Sequence, residues 1–361
     1  MLNKKFWNEK KVFVTGHTGF KGSWLCLWLH YLGANITGYS LSPPTNPNLF
    51  DLCKINDITN TVIGDIRNYT LLNNVISDFD PDIIIHLAAQ PLVRESYSNP
   101  IETYETNVLG TVNVFEAVRA LSTKSNKKRV IVNVTSDKCY ENKEWLWGYR
   151  EDDKLGGFDP YSNSKACSEL VTSCYLQSFF YRNNQYGIAL ASARAGNVIG
   201  GGDFAKDRLL PDCVRSCLDK TEIIIRNPNS LRPWQHVLEP LSGYLLLAEK
   251  LYNDGYLYQG SWNFGPSEKD TLTVNTIVDI FLKQWGESAY IKIEGENATH
   301  EAKILKLDCS KAKQLLGWEQ RWDIDEAINK VVLWTRAFIN KQNLKKVCLE
   351  QIEEFELKSK Q

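Results

Sequence analysis

The stretch from Val12 to Gly22, VFVTGHTGFKG, constrains the fold more than any other. Val12, Phe13, Val14 and Thr15, all β-branched or aromatic, run into Gly16, and Gly19 and Gly22 follow at three-residue intervals. An apolar pattern opens next with Trp24, Leu25, Leu27, Trp28, Leu29 and Leu32, so the segment reads as strand, tight turn and helix. Glycines in those places let the backbone turn sharply, and they let a pyrophosphate reach amides at the positive end of the helix. His17, Thr18 and Phe20 fill the rest of the turn. A βα turn without a ligand has the same local signature, so the motif takes its meaning from the rest of the chain.

Past residue 32, strands and helices alternate. Asn35 to Ser40 reads as a second strand, followed by a Pro- and Asn-rich loop, SPPTNPN. Thr61 to Gly64 reads as a third strand, Leu71 to Ser77 as a helix and Asp82 to Leu87 as a largely apolar fourth strand. A long helix over about Pro100 to Leu121 leads to a fifth strand, Arg129 to Thr135. This order argues for an α/β fold with a doubly wound parallel sheet, whose ligand binds at the carboxyl ends of the strands. Those ends carry Asp65 and Ile66 after the third strand, Ala88 and Ala89 after the fourth, and Ser136, Asp137 and Lys138 after the fifth.

Tyr161 and Lys165 open a further helix, expected to run to about Arg182, and at this spacing they project from one helical face. A phenol, with an ordinary pKa near 10, is a poor base at neutral pH, and an adjacent ammonium is expected to favour the phenolate.

Composition narrows the partners. Lys plus Arg is 42 against Asp plus Glu 43, a net charge of −1, so there is no general electrostatic case for nucleic acid or an anionic membrane. MLNKKFWNEKK has no apolar core of a signal sequence, and no apolar run approaches the roughly 20 residues that span a bilayer. A cytoplasmic location is expected. Nine cysteines without framework spacing fit reduced thiols. Cys213 and Cys217, one helical turn apart, lack a second pair or a histidine cluster, so core packing is expected and no metal.

TGHTGFKG, HLAAQ, Ser136 and YSNSK together resemble the extended short-chain dehydrogenase/reductases that act on nucleotide sugars, over nearly the whole chain. The resemblance implies an NAD-binding Rossmann-type domain over 1–195, to which some later segments return, and a smaller substrate-binding lobe with C-terminal helices over 196–361. It implies that Tyr161 takes the proton from a sugar 4-hydroxyl, that Lys165 holds the nicotinamide ribose, that Ser136 hydrogen-bonds the hydroxyl and that Asp65 receives the adenine. Longer strings, TSDKCY, RAGNVIGGGDFAKDRLLPD and RPWQHVLEPLSGYLLLAEKL, are similar to the CDP-glucose 4,6-dehydratases. That similarity implies CDP-glucose as the substrate, NAD as the cofactor and a deoxysugar product for O-antigen or lipopolysaccharide biosynthesis. Asp137 would be the acid for the departing hydroxyl, and Lys138 stands where relatives carry a glutamate base.

Two features depart from the family pattern. His17 is bulky where relatives carry something small, and it is expected to crowd the pyrophosphate. Ser40 stands roughly 18 residues past Gly22, where NAD enzymes often place an acid for the ribose diol.

In the second half, Ala189 to Ala195 is expected as a sixth strand, and Asn197 resembles the residue that meets the sugar diphosphate. Arg208 and Arg232 are candidates for the substrate phosphates, since a guanidinium bridges two oxygens. Ala205 to Leu218 reads as a helix, Glu222 to Arg226 as a short strand and DCSKAKQLLGW as a helix ending at Gly317. The Lys- and Glu-rich tail past Asn340 reads as a solvated amphipathic helix. Trp145 and Trp147 either cover the sugar or pack the lobes. The helices over about 100–121 and 161–182 are expected to pair two copies into a homodimer, as in the family, or to cover their own sheet. A nucleotide-sugar 4-epimerase would use Tyr161 and Lys165 without needing Asp137, and a non-catalytic NAD-binding sensor would share the fold.

Overall fold

The structure, a computed structural model, describes residues 2–125, 127–181, 187–286, 290–293 and 303–358. Seven parallel strands form one sheet: β1 (Lys11–Thr15), β2 (Asn35–Ser40), β3 (Asn60–Ile63), β4 (Ile83–His86), β5 (Arg129–Val134), β6 (Ile188–Ala195) and β7 (Gly260–Phe264). Their order is β7-β6-β5-β4-β1-β2-β3. Chain order reverses between β1 and β4, so a crevice opens at the carboxyl ends of those two strands.

Alternation along β1 shows how the sheet is covered. Val12 and Val14 join one core, with Trp24, Leu25 and Trp28 of α1 (Phe20–Tyr31) beneath them. Phe13 joins the opposite core, with Leu72 and Ile76 of α2 (Tyr69–Phe79) and Val114, Phe115 and Val118 of α3 (Gly110–Ser122). The expected long helix begins at Pro100–Tyr104 and reaches α3 through a widened turn at Glu105–Leu109. The helix bearing Tyr161 is α4 (Pro160–Tyr175), extended by a widened turn at Leu176–Phe180; its expected end at 182 lies outside the described residues.

The smaller lobe has its own core. In it α5 (Leu209–Asp219) contributes Leu210 and Cys213, the short strand Ile223–Ile225 contributes its two ends, and α7 (Val274–Trp285) contributes Ile277, Val278 and Phe281, after α6 (Leu238–Asp254) has passed through the main core. Cys213 is fully buried there, with Cys217 packed beside it. The helix expected from Ala205 starts only at Leu209.

Chain position and spatial lobe diverge after residue 195. β7, α6 and α9 (Leu344–Lys358) all pack into the main core, while α8 (Ile324–Ile339) bridges both cores. The tail helix is therefore solvated on one face only. α1 is apolar all round, so its outer face needs a cover, and α9 supplies it through Cys348, Ile352 and Phe355. Phe355 sits edge-on to Trp28 at 5.5 Å and to Trp322 at 5.0 Å.

Candidate active site

The turn after β1 uses its glycines in three ways. Gly16 has φ +74°, and a Cβ there would lie 2.8 Å from the Ala88 amide nitrogen. A Cβ on Gly22 would lie 2.1 Å from the Gly16 carbonyl oxygen, so α1 packs directly on the turn. Gly19 is different: its nearest neighbour is the Gly16 oxygen at 3.4 Å, and as the residue capping α1 it supplies no side-chain bond. The first amides of α1 therefore face an open cleft of about 2160 Å³.

His17 does not crowd this cleft, contrary to expectation. Its ring turns under the sheet, where a Cβ on Gly38 would lie 2.2 Å from Cδ2, and its Nε2 is 3.3 Å from Thr61 Oγ1. Phe50 meets it edge-on at 5.5 Å, and burial lowers its pKa to about 4, keeping the imidazole neutral. At the end of β2, Thr18 Oγ1 donates to the Leu41 carbonyl at 2.8 Å, so the Ser40 hydroxyl, also at 2.8 Å, is the donor to Thr18. Asp65 lines the cleft beside Ile66, and its hydrogen bonds from Arg67, one at 2.6 Å, hold its carboxyl below the usual range. Phe20, Ala88 and Ala89 complete this wall. These residues fit a dinucleotide: uncapped amides for the pyrophosphate, hydroxyls for a ribose and a polar end for the base.

The other half of the cleft floor gathers the predicted chemical groups. Ser136 stands beside the Tyr161 side chain, and its Oγ donates to Asp137 Oδ1 at 3.1 Å. Burial pushes the Tyr161 phenol up to about 12; Ser136 opposes this, Asp137 adds to it and Arg208 opposes it. The phenol is thus not lowered as expected from Lys165, because burial outweighs the neighbouring charges. The Lys165 ammonium donates to the Val134 carbonyl at 3.2 Å, and burial lowers its own pKa to about 8 against the pull of Glu169.

Asp137 is 2% exposed, and burial raises its carboxyl against the charges of Lys138 and Arg232 and a Ser136 bond. Its Oδ2 is buried with no hydrogen-bond partner, and a Cβ on Gly196 would come within 2.8 Å of it. A carboxyl so placed favours the protonated form, that of an acid.

Lys138, half-buried, and Asn197 line the same cleft. Arg208 reaches it while paired to Asp203 at 2.8 Å. Arg232 is buried on the wall and donates to the Leu231 carbonyl at 2.9 Å. Neither Trp145 nor Trp147 is on the wall. Trp145 stacks between Trp147 and Tyr149 at 5.3 and 5.2 Å and packs its segment onto Leu305 and Leu307, while Trp147 is 63% exposed.

Two supporting features are not anticipated from the sequence. Glu169 pairs with Arg194 at 2.7 Å, both nearly inaccessible, and accepts from Ser192 at 2.6 Å. This network ties α4 to β6 behind Lys165. The signal was available: Tyr161, Lys165 and Glu169 repeat every fourth residue along one helical face. Lys21, on the first turn of α1, also lines the cleft.

Known proteins share this sequence pattern and this fold. A family model described as GDP-mannose 4,6 dehydratase matches residues 13–331. A CDP-glucose 4,6-dehydratase of Salmonella typhimurium is 54% identical over 346 residues, which is 95% of this chain and 95% of that protein. A solved dTDP-glucose 4,6-dehydratase from Streptomyces venezuelae with NAD bound shares 22% identity and a TM-score of 0.78, covering 92% of this chain and 98% of that one. A UDP-glucose 4-epimerase from Thermotoga maritima shares 20% identity and a TM-score of 0.77, with 91% and 99% covered. The family match starts within β1 and ends in α8, spanning both lobes and the cleft between β1 and α4, and the chain belongs to the GDP-mannose 4,6 dehydratase family.

Proposed function

We propose that this protein is an NAD-dependent sugar-nucleotide 4,6-dehydratase that converts CDP-D-glucose to CDP-4-dehydro-6-deoxy-D-glucose. The observation that carries the reading is the buried Asp137, its Oδ2 unpartnered, beside Ser136 and Tyr161 on one cleft floor. A 4-epimerase has no use for an acidic side chain there. The Salmonella relative's name supplies the substrate.

Bound NAD would supply the hydride acceptor for C4 and the donor for C6, together with a positive ring that favours the phenolate. Gly19 and the first amides of α1 would hold its pyrophosphate, Ser40 and Lys165 its riboses, and Asp65 and Ile66 its adenine. Tyr161 takes the C4 hydroxyl proton while Ser136 orients that hydroxyl. A carbonyl at C4 acidifies the C5 hydrogen, because the carbanion becomes an enolate. Lys138, on the wall, is the candidate to accept that proton once deprotonated. Asp137 then gives its proton to the departing C6 hydroxyl, which leaves as water. Asn197, Arg208 and Arg232 bind the sugar diphosphate.

The exposed Ile101, Leu109 and Leu170, on the helices flanking α4 and on α4 itself, support a homodimer. No described helix is long and apolar enough to cross a membrane, in keeping with a cytoplasmic enzyme serving O-antigen or lipopolysaccharide synthesis.

The test is turnover with NAD and a panel of nucleotide-glucoses in deuterated water. The expected product from CDP-glucose has lost water and carries deuterium at C5, and Tyr161→Phe should lower kcat by about 10²–10⁴-fold. Epimerised product, or full activity in the phenylalanine variant, would refute the proposal.

A further inference from the structure

Lys165 serves the proposed chemistry only as a cation, and its surroundings decide whether it stays one. Among the described residues, the groups that face it from other elements bring it no negative charge. Lys21 of α1 is a second cation, His86 at the end of β4 is kept neutral by burial and by this ammonium, and burial keeps the Cys139 thiol and the Asp137 carboxyl toward their neutral forms. Glu169, one turn further along α4, differs from all of these. Burial would raise its carboxyl, but the charge and hydrogen bond of Arg194, with bonds from Ser192 and Thr135, outweigh that and hold it below the usual range. Both carboxylate oxygens are engaged: Oε1 accepts from Thr135, the residue before Ser136, and Oε2 accepts from Arg194 at 2.7 Å, Ser192 at 2.6 Å and Ser261 at 3.2 Å. One buried side chain thus joins α4 to β6, to β7 and to the end of β5, which are neighbours in the sheet. An amide accepts at one oxygen only, so glutamine could not serve Thr135 and Arg194 together.

Resting on the dehydratase reading, we infer that Glu169 is a positioning residue for the reaction: its carboxylate sets the strand end bearing Ser136 and Asp137 against the helix bearing Tyr161 and Lys165, and it supplies the negative charge behind the Lys165 ammonium. Glu169 does not line the cleft, so it acts through Thr135 and Lys165. A Lys165 that loses its proton no longer favours a phenolate one turn away, and it holds a ribose hydroxyl less firmly.

The direct experiment follows the pH dependence of Lys165 acylation by acetic anhydride, read by peptide mass spectrometry on the protein without cofactor, since only the unprotonated amine reacts. The wild-type midpoint is expected near 8. Glu169→Gln should lower it by about one unit or more, and Glu169→Asp, which keeps the charge, should leave it near the wild-type value. Loosened packing acts the other way: water admitted around the ammonium raises the midpoint toward 10.5, so the direction of the shift separates the two causes. Should the glutamine variant not fold, the double variant Glu169→Gln/Arg194→Met, which buries no lone charge, takes its place with the same expectation. Turnover of CDP-glucose gives a second readout. The alkaline limb of kcat/KM should move to lower pH in the glutamine variant, whereas Thr135→Val, which removes a hydrogen bond and no charge, should lower kcat by about tenfold with that limb unmoved. A midpoint that stays or rises on loss of the Glu169 charge, or a valine variant with wild-type kcat, overturns the role of Glu169 and leaves the dehydratase reading standing. Failure of wild type to dehydrate any nucleotide-glucose overturns that reading and this one with it.

Discussion

Lys165 is held in a chemically useful but unfavourable state. Its pKa falls from 10.5 to about 8 because the ammonium is buried, so below pH 8 the folded protein bears a charge it would rather lose. A shift of this size corresponds to about 3 kcal/mol of lost stability at neutral pH. Between pH 8 and 10.5 the unfolded chain binds more protons than the folded one, so stability rises with pH across that window, and the penalty is gone above it. Lys165→Met should therefore abolish turnover yet raise the unfolding free energy at pH 7 by about 1–2 kcal/mol, once the lost bond to Val134 is counted. Chemical denaturation at pH 7 and pH 10 checks both parts: the gain should shrink at the higher pH, and a variant less stable than wild type at pH 7 contradicts the argument. At this scale the sequence was legible where chemistry dictates spacing. Ser136, Asp137, Tyr161 and Lys165 come together because strand ends and one helical face bring them there. It was illegible where direction decides. Nothing local says that the His17 ring turns under Gly38 instead of into the cleft, or that burial outweighs any cation acting on Tyr161.

Elements divide in the same way. The strands of the main sheet read from apolar runs fall within one residue of their observed limits, since buried parallel strands leave a continuous apolar trace. The tail was read as a solvated amphipathic helix without a site for its apolar face, although α1, apolar all round, already required a covering element. Phe355 tests that correction directly. It is fully buried and touches both Trp28 and Trp322, so Phe355→Ala opens a cavity in the main core. The expected loss is about 3–5 kcal/mol, read from urea or thermal unfolding. A loss below 1 kcal/mol, roughly the scale of a surface substitution, would instead support a solvated tail. The widened turn at Glu105–Leu109 was also invisible in sequence, because its cause is tertiary. Asn107 there donates to Ser164 at 2.8 Å and to the Gln90 carbonyl at 3.0 Å, binding this helix to α4 and to the strand end beside Ala89.

For the whole molecule, the back of α4 matters as much as its front. α4 turns Tyr161, Lys165 and Glu169 inward and leaves Leu170 57% exposed, while Ile101 and Leu109 on the adjoining helix are 74% and 55% exposed. These two helices are already joined by a bond from Tyr104 to Asn163 at 2.9 Å and by Asn107 to Ser164, so they form one rigid face. A second copy meeting that face by two-fold symmetry would bury each of these side chains against its counterpart, as an isologous interface requires. A stable interface of about 1,600 Å² would sit one helix thickness from Lys165 and stiffen the element that positions it. Leu170→Glu brings two carboxylates into the apolar centre of such an interface and should convert a dimer to a monomer in sedimentation equilibrium. Turnover per chain should fall with it, because α4 loses its backing, while the isolated monomer keeps its helical content by circular dichroism. A wild-type protein that sediments as a monomer, or a glutamate variant that still sediments as a dimer, removes this face from the assembly and leaves α4 to depend on its own sheet.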